Sequence, residues 1–362
     1  MDFSLTEEQE MLKKVARDFL EKECPSSHVR EMEEDDRGFS PELWRKMAEL
    51  GWMGLPFPEE YGGMGGDFLD LSVLLEEMGR VLLPSPFIPT VAFSGMPILK
   101  FGGDLRKELL SGISSGELIM TFSLYEPDLE VKEPSETRAE RRGERFVVSG
   151  RRSFVPYLNV SQKLLVPART EEGVSVFILP CGEGMELEKL EVMSGDKMFD
   201  VVIEGVLSEG VLSGEDILNR VINYGACSLS SYMLGGAQKV LEMTVNYAKE
   251  RVQFGRPIGS FQAIQHKCAD MAIEIDGARF AVYQAAWKLS KDMPCDMEVS
   301  VAKSWVGETY RRATATSIQV HGAIGTTYDH DVQLYYRRAK VLELYFGDPK
   351  YHKERVARVS GF

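Results

Sequence analysis

The sequence predicts an α+β protein of several domains: helical over residues 1–118, β-rich over 119–210, and helical again over 211–362. Three observations carry this. Apolar residues at helical spacing, with recognisable caps, fill the first and last thirds. Short β-branched and aromatic runs, broken by Gly, Asp, Ser and charge, fill the middle. The length of 362 residues allows more than one domain and a sizeable core.

The elements follow in chain order. Thr6 and Gln9 in "TEEQ" have capping-box spacing ahead of Met11, Leu12 and Val15. Ser40-Pro41 reads as an N-cap followed by proline at the first helical position, and Gly51 closes that helix. "YGGMGGD" (61–67) lacks the GxGxxG order and a preceding strand, so it reads as a turn. "LDLSVLLEEMGRVL" is apolar on most sides and reads as a buried helix. From residue 119, "LIMTFSLY", "RFVVSG", "SFVPYL", "KLLVPAR", "VSVFILP" and "FDVVIEGVLS" recur at spacings of roughly ten residues, as in a β-barrel or sandwich. Beyond residue 210, Ile264, Cys268, Met271, Ala272, Ile275, Ala278 and Val282 mark one face of a long helix.

Composition removes several function classes. A net charge of −14 argues against nucleic acid, which needs concentrated Lys and Arg. The five cysteines are scattered and form no CxxC pair, which reads as reduced thiols in a cytoplasmic protein. The five histidines form no HExxH or Cys/His cluster, so no metal site is expected. No basic-then-apolar leader opens the sequence, and no run of ~18 apolar residues suggests a membrane span.

Two stretches are specific. "YAKERVQFGRPIGSFQAIQHKCADM" (247–271) and "SIQVHGAIGTTYDHDVQLYYRRAK" (317–340) closely resemble the C-terminal domain of the acyl-CoA dehydrogenase family. "FSLTEEQEMLKKVARDF" and "LGWMGLPFPEEYGG" resemble its N-terminal domain. The resemblance implies an N-terminal helical domain, a central β domain and a C-terminal four-helix bundle. It also implies FAD as cofactor, an acyl-CoA substrate, a homo- or hetero-tetramer, and an electron-transfer flavoprotein as redox partner. Arg251, Phe254 and Gly255 would meet the ADP half of a neighbouring subunit's FAD. A planar arginine fork suits a pyrophosphate, and an aromatic face suits adenine. Gln319, Gly322 and Gly325 would complete that contact through an amide donor and close backbone approach. Taken singly, Arg251 reads as a solvated helix-end charge and the glycines as a helix break.

The flavin half departs from the family pattern. Glu126 and Pro127 are kept in "YEPDLEVKEPSE", but Tyr125 stands where a threonine is expected and Val131 where a serine is. Further on, "FVP" (Phe154, Val155, Pro156) ends on a residue with neither N–H nor hydroxyl. The base departs too. A carboxylate suits removal of the α proton of an acyl-CoA, yet Phe346 stands at the usual glutamate position, and the alternative position falls at Gly225 beside Ala226. Asp348 and Glu343 are the nearby carboxylates. Asp348-Pro349 is also an N-cap followed by a first helical residue, and Glu343 also reads as a solvated helix face.

Three functions stay open on these residues. The chain is a supporting subunit that contributes ADP contacts to a partner's FAD. Alternatively it is a self-sufficient dehydrogenase with Asp348 as a relocated base, or a scaffold without flavin. The acyl group is open among fatty, branched, cyclic and steroid side-chain types.

Overall fold

The computed structural model describes residues 4–362. Its N-terminal third contains α1 (Glu7–Glu23), α2 (Ser26–Glu34), α3 (Pro41–Glu49), α4 (Phe68–Arg80), α5 (Met96–Phe101) and α6 (Arg106–Ser114). The sequence signals for helix ends hold. Thr6 and Gln9 form the reciprocal capping box of α1. Ser40 caps α3 with Pro41 in its first turn, and Gly51 follows that helix with φ 77°.

The strands are β1 (Met120–Phe122), β2 (Arg138–Arg142), β3 (Arg145–Pro156), β4 (Lys163–Thr170), β5 (Gly173–Pro180), β6 (Met185–Leu190), β7 (Met198–Leu207) and β8 (Gly210–Leu212). They form one eight-stranded sheet in the order β6-β7-β3-β2-β4-β5-β8, with β1 paired parallel to β4. Val148, Leu164, Val166, Phe177, Leu179 and Val201 form part of its core. "RFVVSG" and "SFVPYL" read as two runs but belong largely to the single strand β3. Register shifts against β7 between Val148 and Gly150, and again between Arg152 and Val155, break the alternation that would have joined them.

The C-terminal part holds α7 (Ile217–Glu250), a small hairpin of β9 (Val252–Gln253) and β10 (Arg256–Pro257), α8 (Gln262–Ser290), α9 (Asp296–His321), α10 (Val332–Leu344) and α11 (Pro349–Val359). No described helix is long and apolar enough to cross a membrane.

By packing, the chain forms two compact units, each discontinuous in sequence. One comprises residues 30–67 and 84–225, and contains the sheet; the other comprises the stretch up to Val29, Phe68–Leu83 and Ala226–Phe362. In the helical unit α4 packs on α1 and α8, while α8, α10 and α11 pack on α9. Two glycines let α4 and α7 approach closely. A Cβ on Gly79 would lie 1.8 Å from the Tyr232 carbonyl oxygen, and one on Gly235 would lie 1.8 Å from that of Glu76.

Burial of α4 brings charges with it. Lys13 pairs with Glu76 at 3.0 Å, and the Tyr283 hydroxyl donates to Glu76 at 2.6 Å. Arg17 grips Glu77 at 2.9 and 2.7 Å, and Arg80 grips Glu242 at 2.9 and 2.7 Å. Each buried charge is thus paired, as burial requires.

Candidate functional site

Three clusters contain most of the residues singled out by sequence; Gly225 and Ala226, the alternative base position, are buried within α7. The first lies in the helical unit where α7 ends and α9 ends. Arg251 follows α7 and is exposed. Phe254 and Gly255 form the two-residue turn between β9 and β10, with φ 53° and 79°. Two left-handed residues are what such a hairpin requires. A phenylalanine is a poor choice there, because its Cβ disfavours that region, and its ring is 91% exposed. A strained, solvated aromatic contributes nothing to this chain's own core.

The second motif meets the first. The Tyr247 ring stacks on His321 at 4.3 Å, and its hydroxyl donates to the His321 carbonyl at 3.3 Å. His321 donates from Nδ1 to the Ser317 carbonyl at 2.8 Å, and burial keeps its pKa below the usual histidine value. The ring thus bridges the end of α9 to Tyr247 of α7, and burial favours its neutral form. Lys267 of α8 donates to the Oε1 of Gln319 at 2.6 Å. That bond takes the amide's acceptor and leaves its NH₂ as the free donating end of an exposed side chain. Gly322 ends α9 with φ 68°, and a Cβ there would touch nothing within 4 Å. Gly325 is buried; a Cβ there would lie 3.0 Å from His321 and 3.2 Å from Ile318. So Gly322 is open toward solvent, while Gly325 is a packing glycine. Tyr247, Lys267 and His321 were not singled out by sequence. Their signal was only that each lies inside a motif.

The second cluster is the turn from α10 to α11. Phe346 has φ 59° and no exposed surface. Asp348 is the N-cap of α11: its Oδ1 accepts from the Tyr351 N–H at 2.7 Å. It also borders a hollow of about 720 Å³, lined in part by Glu308, Arg311, Lys340, Glu343 and Lys353. Glu343 corrects a reading. It is not a solvated face; it is 3% exposed and pairs with Arg311 at 2.9 Å and Lys340 at 2.6 Å. A carboxylate near a helix C-terminus is disfavoured by the dipole; the two cations offset that and account for its burial. Lys303 and His352, not expected from sequence, hold this turn by the carbonyl oxygens of Gly347 and Phe346.

The third cluster lies in the sheet unit. The Tyr125 carbonyl accepts from Ser153 N–H at 3.0 Å, and its side chain is buried. The Pro156 carbonyl accepts from the Thr121 hydroxyl at 2.6 Å, so its one polar backbone atom has a partner within the chain. Glu126 organises a loop. Its carboxylate accepts from the N–H groups of Ser135 (2.9 Å), Glu136 (3.0 Å) and Thr137 (2.7 Å), and stands 3.4 Å from Arg152. Burial alone would raise its pKa; the Ser135 and Thr137 amides overcome that and hold it at about 2. Arg152 is lowered to about 10 by burial, against the pull of Glu126, and stays charged at neutral pH. It donates to Ser123 and to the carbonyls of Ser123 and Leu124. Phe154 and Tyr157 are left-handed, at φ 54° and 52°.

Among the described residues no group of three or more His, Cys, Asp or Glu could hold a metal ion.

Residues 6–117 match the family model "Acyl-CoA dehydrogenase, N-terminal domain", and residues 213–361 match "Acyl-CoA dehydrogenase, C-terminal domain". A "Probable acyl-CoA dehydrogenase YngJ" of Bacillus subtilis is 32% identical over 99% of both chains. The "Caffeyl-CoA reductase-Etf complex subunit CarC" of Acetobacterium woodii is 31% identical over 94% of this chain and 95% of its own. A chain of the ChsE4-ChsE5 complex from Mycobacterium tuberculosis superposes with a TM-score of 0.94 at 29% identity, over all of both chains.

Proposed function

The chain belongs to the acyl-CoA dehydrogenase family of flavoprotein oxidoreductases, and from that premise we propose that it is the supporting chain of a two-chain enzyme. In this role it contributes ADP contacts to FAD held mainly by a partner, and the partner supplies the base. The supporting observation is the contrast between the clusters. Arg251, Phe254, Gln319 and Gly322 are exposed and open toward an outside ligand. Phe346 is enclosed and has no ionisable group, and Pro156 has no N–H. The ChsE4-ChsE5 relative, a complex of two chains, is consistent with such a division.

Bound FAD would supply a hydride acceptor for α,β-desaturation of an acyl-CoA thioester. This chain's residues bind and orient. Arg251 offers a bidentate fork to a pyrophosphate. Gln319, whose Oε1 accepts from Lys267, has its NH₂ available to donate. Phe254 offers an apolar face to adenine. Gly322 lets backbone approach phosphate without a Cβ between them. Electron-transfer flavoprotein is the proposed acceptor of the electrons, in line with the Etf complex to which the Acetobacterium relative belongs.

A second reading rests on Asp348, which borders an open hollow beside the place of the missing base. There it would act as the base of a self-sufficient dehydrogenase. Absorbance and turnover of the chain purified alone, and with any copurifying dehydrogenase-like chain, decide between the two. Stoichiometric flavin with acyl-CoA turnover by the chain alone removes the supporting-chain reading. A colourless chain that gains flavin only with a partner removes the self-sufficient one.

A further inference from the structure

The Lys303 side chain, in the middle of α9, is 1% exposed. Its ammonium donates to the carbonyl oxygens of Leu342 (3.1 Å), Glu343 (2.9 Å) and Gly347 (3.1 Å). The first two lie in the last turn of α10, where carbonyls lack partners inside the helix and form the negative end of its dipole. The third lies beyond the break. One lysine amino group therefore ties a helix end to the chain that leaves it. From α11, His352 Nε2 meets the Phe346 carbonyl at 2.9 Å, so the ring donates there. Between these anchors Phe346 and Gly347 are both left-handed, with φ 59° and 97°.

We infer that Lys303 is a positioning residue: with His352 it clamps the Tyr345–Asp348 turn by its carbonyls and fixes where residue 346 sits. On the supporting-chain reading, on which the functional meaning of this clamp rests, position 346 is the place of the missing base. The clamp then makes the turn a fixed wall of the shared site and not a mobile catalytic loop.

The charges around the ammonium define a pH signature. Glu343 faces it from α10, with Arg311 and Lys340 on its carboxylate. Asp348 and His352 face it from α11, with Arg355 acting on His352. Burial lowers Lys303 to about 7, against the pull of Glu343 and Asp348. Burial, with the charge of Lys303, lowers His352 to about 3. A clamped lysine therefore holds its proton less tightly than one in an opened turn, whose ordinary value is 10.5. Opening becomes easier as pH falls from 10.5 toward about 7, and levels off below that.

Amide hydrogen exchange on the full chain, corrected for intrinsic rates, tests this between roughly pH 6 and pH 9.5, a window that spans the lower bend of the profile. In the wild type the 345–352 peptide should lose protection as pH falls toward 7, while a peptide from α4 should not. Lys303→Met should lower protection of the turn by on the order of tenfold at all pH values and abolish the inflection. Wild-type protection of the turn in Lys303→Met overturns the inference. If Lys303→Met fails to fold, ¹³C-lysine spectroscopy on the wild type decides. The Lys303 inflection must coincide with that of the turn, and two separate inflections overturn the clamp. None of these readouts needs flavin or partner. A failed clamp is thus distinguishable from a failed supporting-chain reading, which fails by flavin and turnover in the chain alone.

Discussion

Two helix ends in the same bundle show how differently one chain can treat a left-handed break. α9 ends at Gly322, with φ 68°, and a Cβ there would meet nothing within 4 Å. α10 ends ahead of Phe346, with φ 59°, whose surroundings exclude solvent and whose neighbouring carbonyls are taken by Lys303 and His352. The first end leaves space and exposed donors for something outside the chain. The second satisfies itself. Residues at a self-satisfied end should cost stability when changed; residues at an open end should cost binding and little else.

The sheet unit supplies the extreme of the self-satisfied kind. Glu126→Ala would leave Arg152 buried without its carboxylate and three amides without their acceptor. A loss of about 3–5 kcal/mol is expected in urea unfolding. The acid limb should change with it. Glu126 is lowered in the folded chain, so its contribution is present above the unfolded value of 4.5 and lost as pH falls through about 2. Glu126→Gln should flatten that limb. An unchanged midpoint in Glu126→Ala would show that this loop does not depend on its carboxylate.

At the α10 break, Gly347→Ala should cost about 2–3 kcal/mol. Its φ of 97° disfavours a side chain, and a Cβ would lie 2.5 Å from the Tyr351 ring and 2.9 Å from His352 Nε2. Gly322→Ala, also left-handed but open, should cost only about 1 kcal/mol. Equal losses from these two alanines would break the comparison outright.

Arg251→Ala sharpens the open side. Its melting should stay within about 0.5 kcal/mol of the parent, as for an exposed side chain. On the supporting-chain reading, flavin retained by the complex with a partner should fall by on the order of tenfold to a hundredfold, the loss of a charge-assisted pair. A variant that unfolds early, or one that keeps its flavin, would place Arg251 outside the open site.

Much of this contrast was legible in the sequence, and the missing part has one cause. Caps and periodicity announce themselves locally, which is why Thr6, Ser40 and Asp348 read as they fold. β2 and β6 did not: "RAERR" and "MELEKL" expose most of their residues, so the apolar alternation of a half-buried strand is absent. Glu343 read as solvated because its partners are Arg311, 32 residues away, and Lys340, whose role depends on that same packing. Lys303 reaches carbonyls 39 to 44 residues further along the chain. Residues whose function is to bind backbone in another element leave no pattern around themselves. The proposed ADP contacts could be named from sequence for the opposite reason. They stand in two short contiguous motifs, and only their buttresses, Tyr247, Lys267 and His321, needed the fold to be seen.

One of the smaller expected stability effects decides the most about chemistry. Asp348→Ala removes an N-cap that accepts one N–H, and should cost about 1 kcal/mol. Asp348→Asn keeps an oxygen in place and should cost less, since asparagine caps as well as aspartate. If Asp348 is only a cap, the two variants differ in stability, and neither changes turnover by the complex once both are folded. If it is a base, Asp348→Asn is the damaging one for rate, because the amide holds geometry but cannot accept the proton. The rate would then fall by a factor of 10² to 10⁴, on the order typical of general-base loss. Unfolding midpoints and turnover measured on the same two variants therefore separate a helix cap from a relocated base. A rate loss in Asp348→Asn without a stability loss would move this turn from the self-satisfied side of the comparison to the catalytic one.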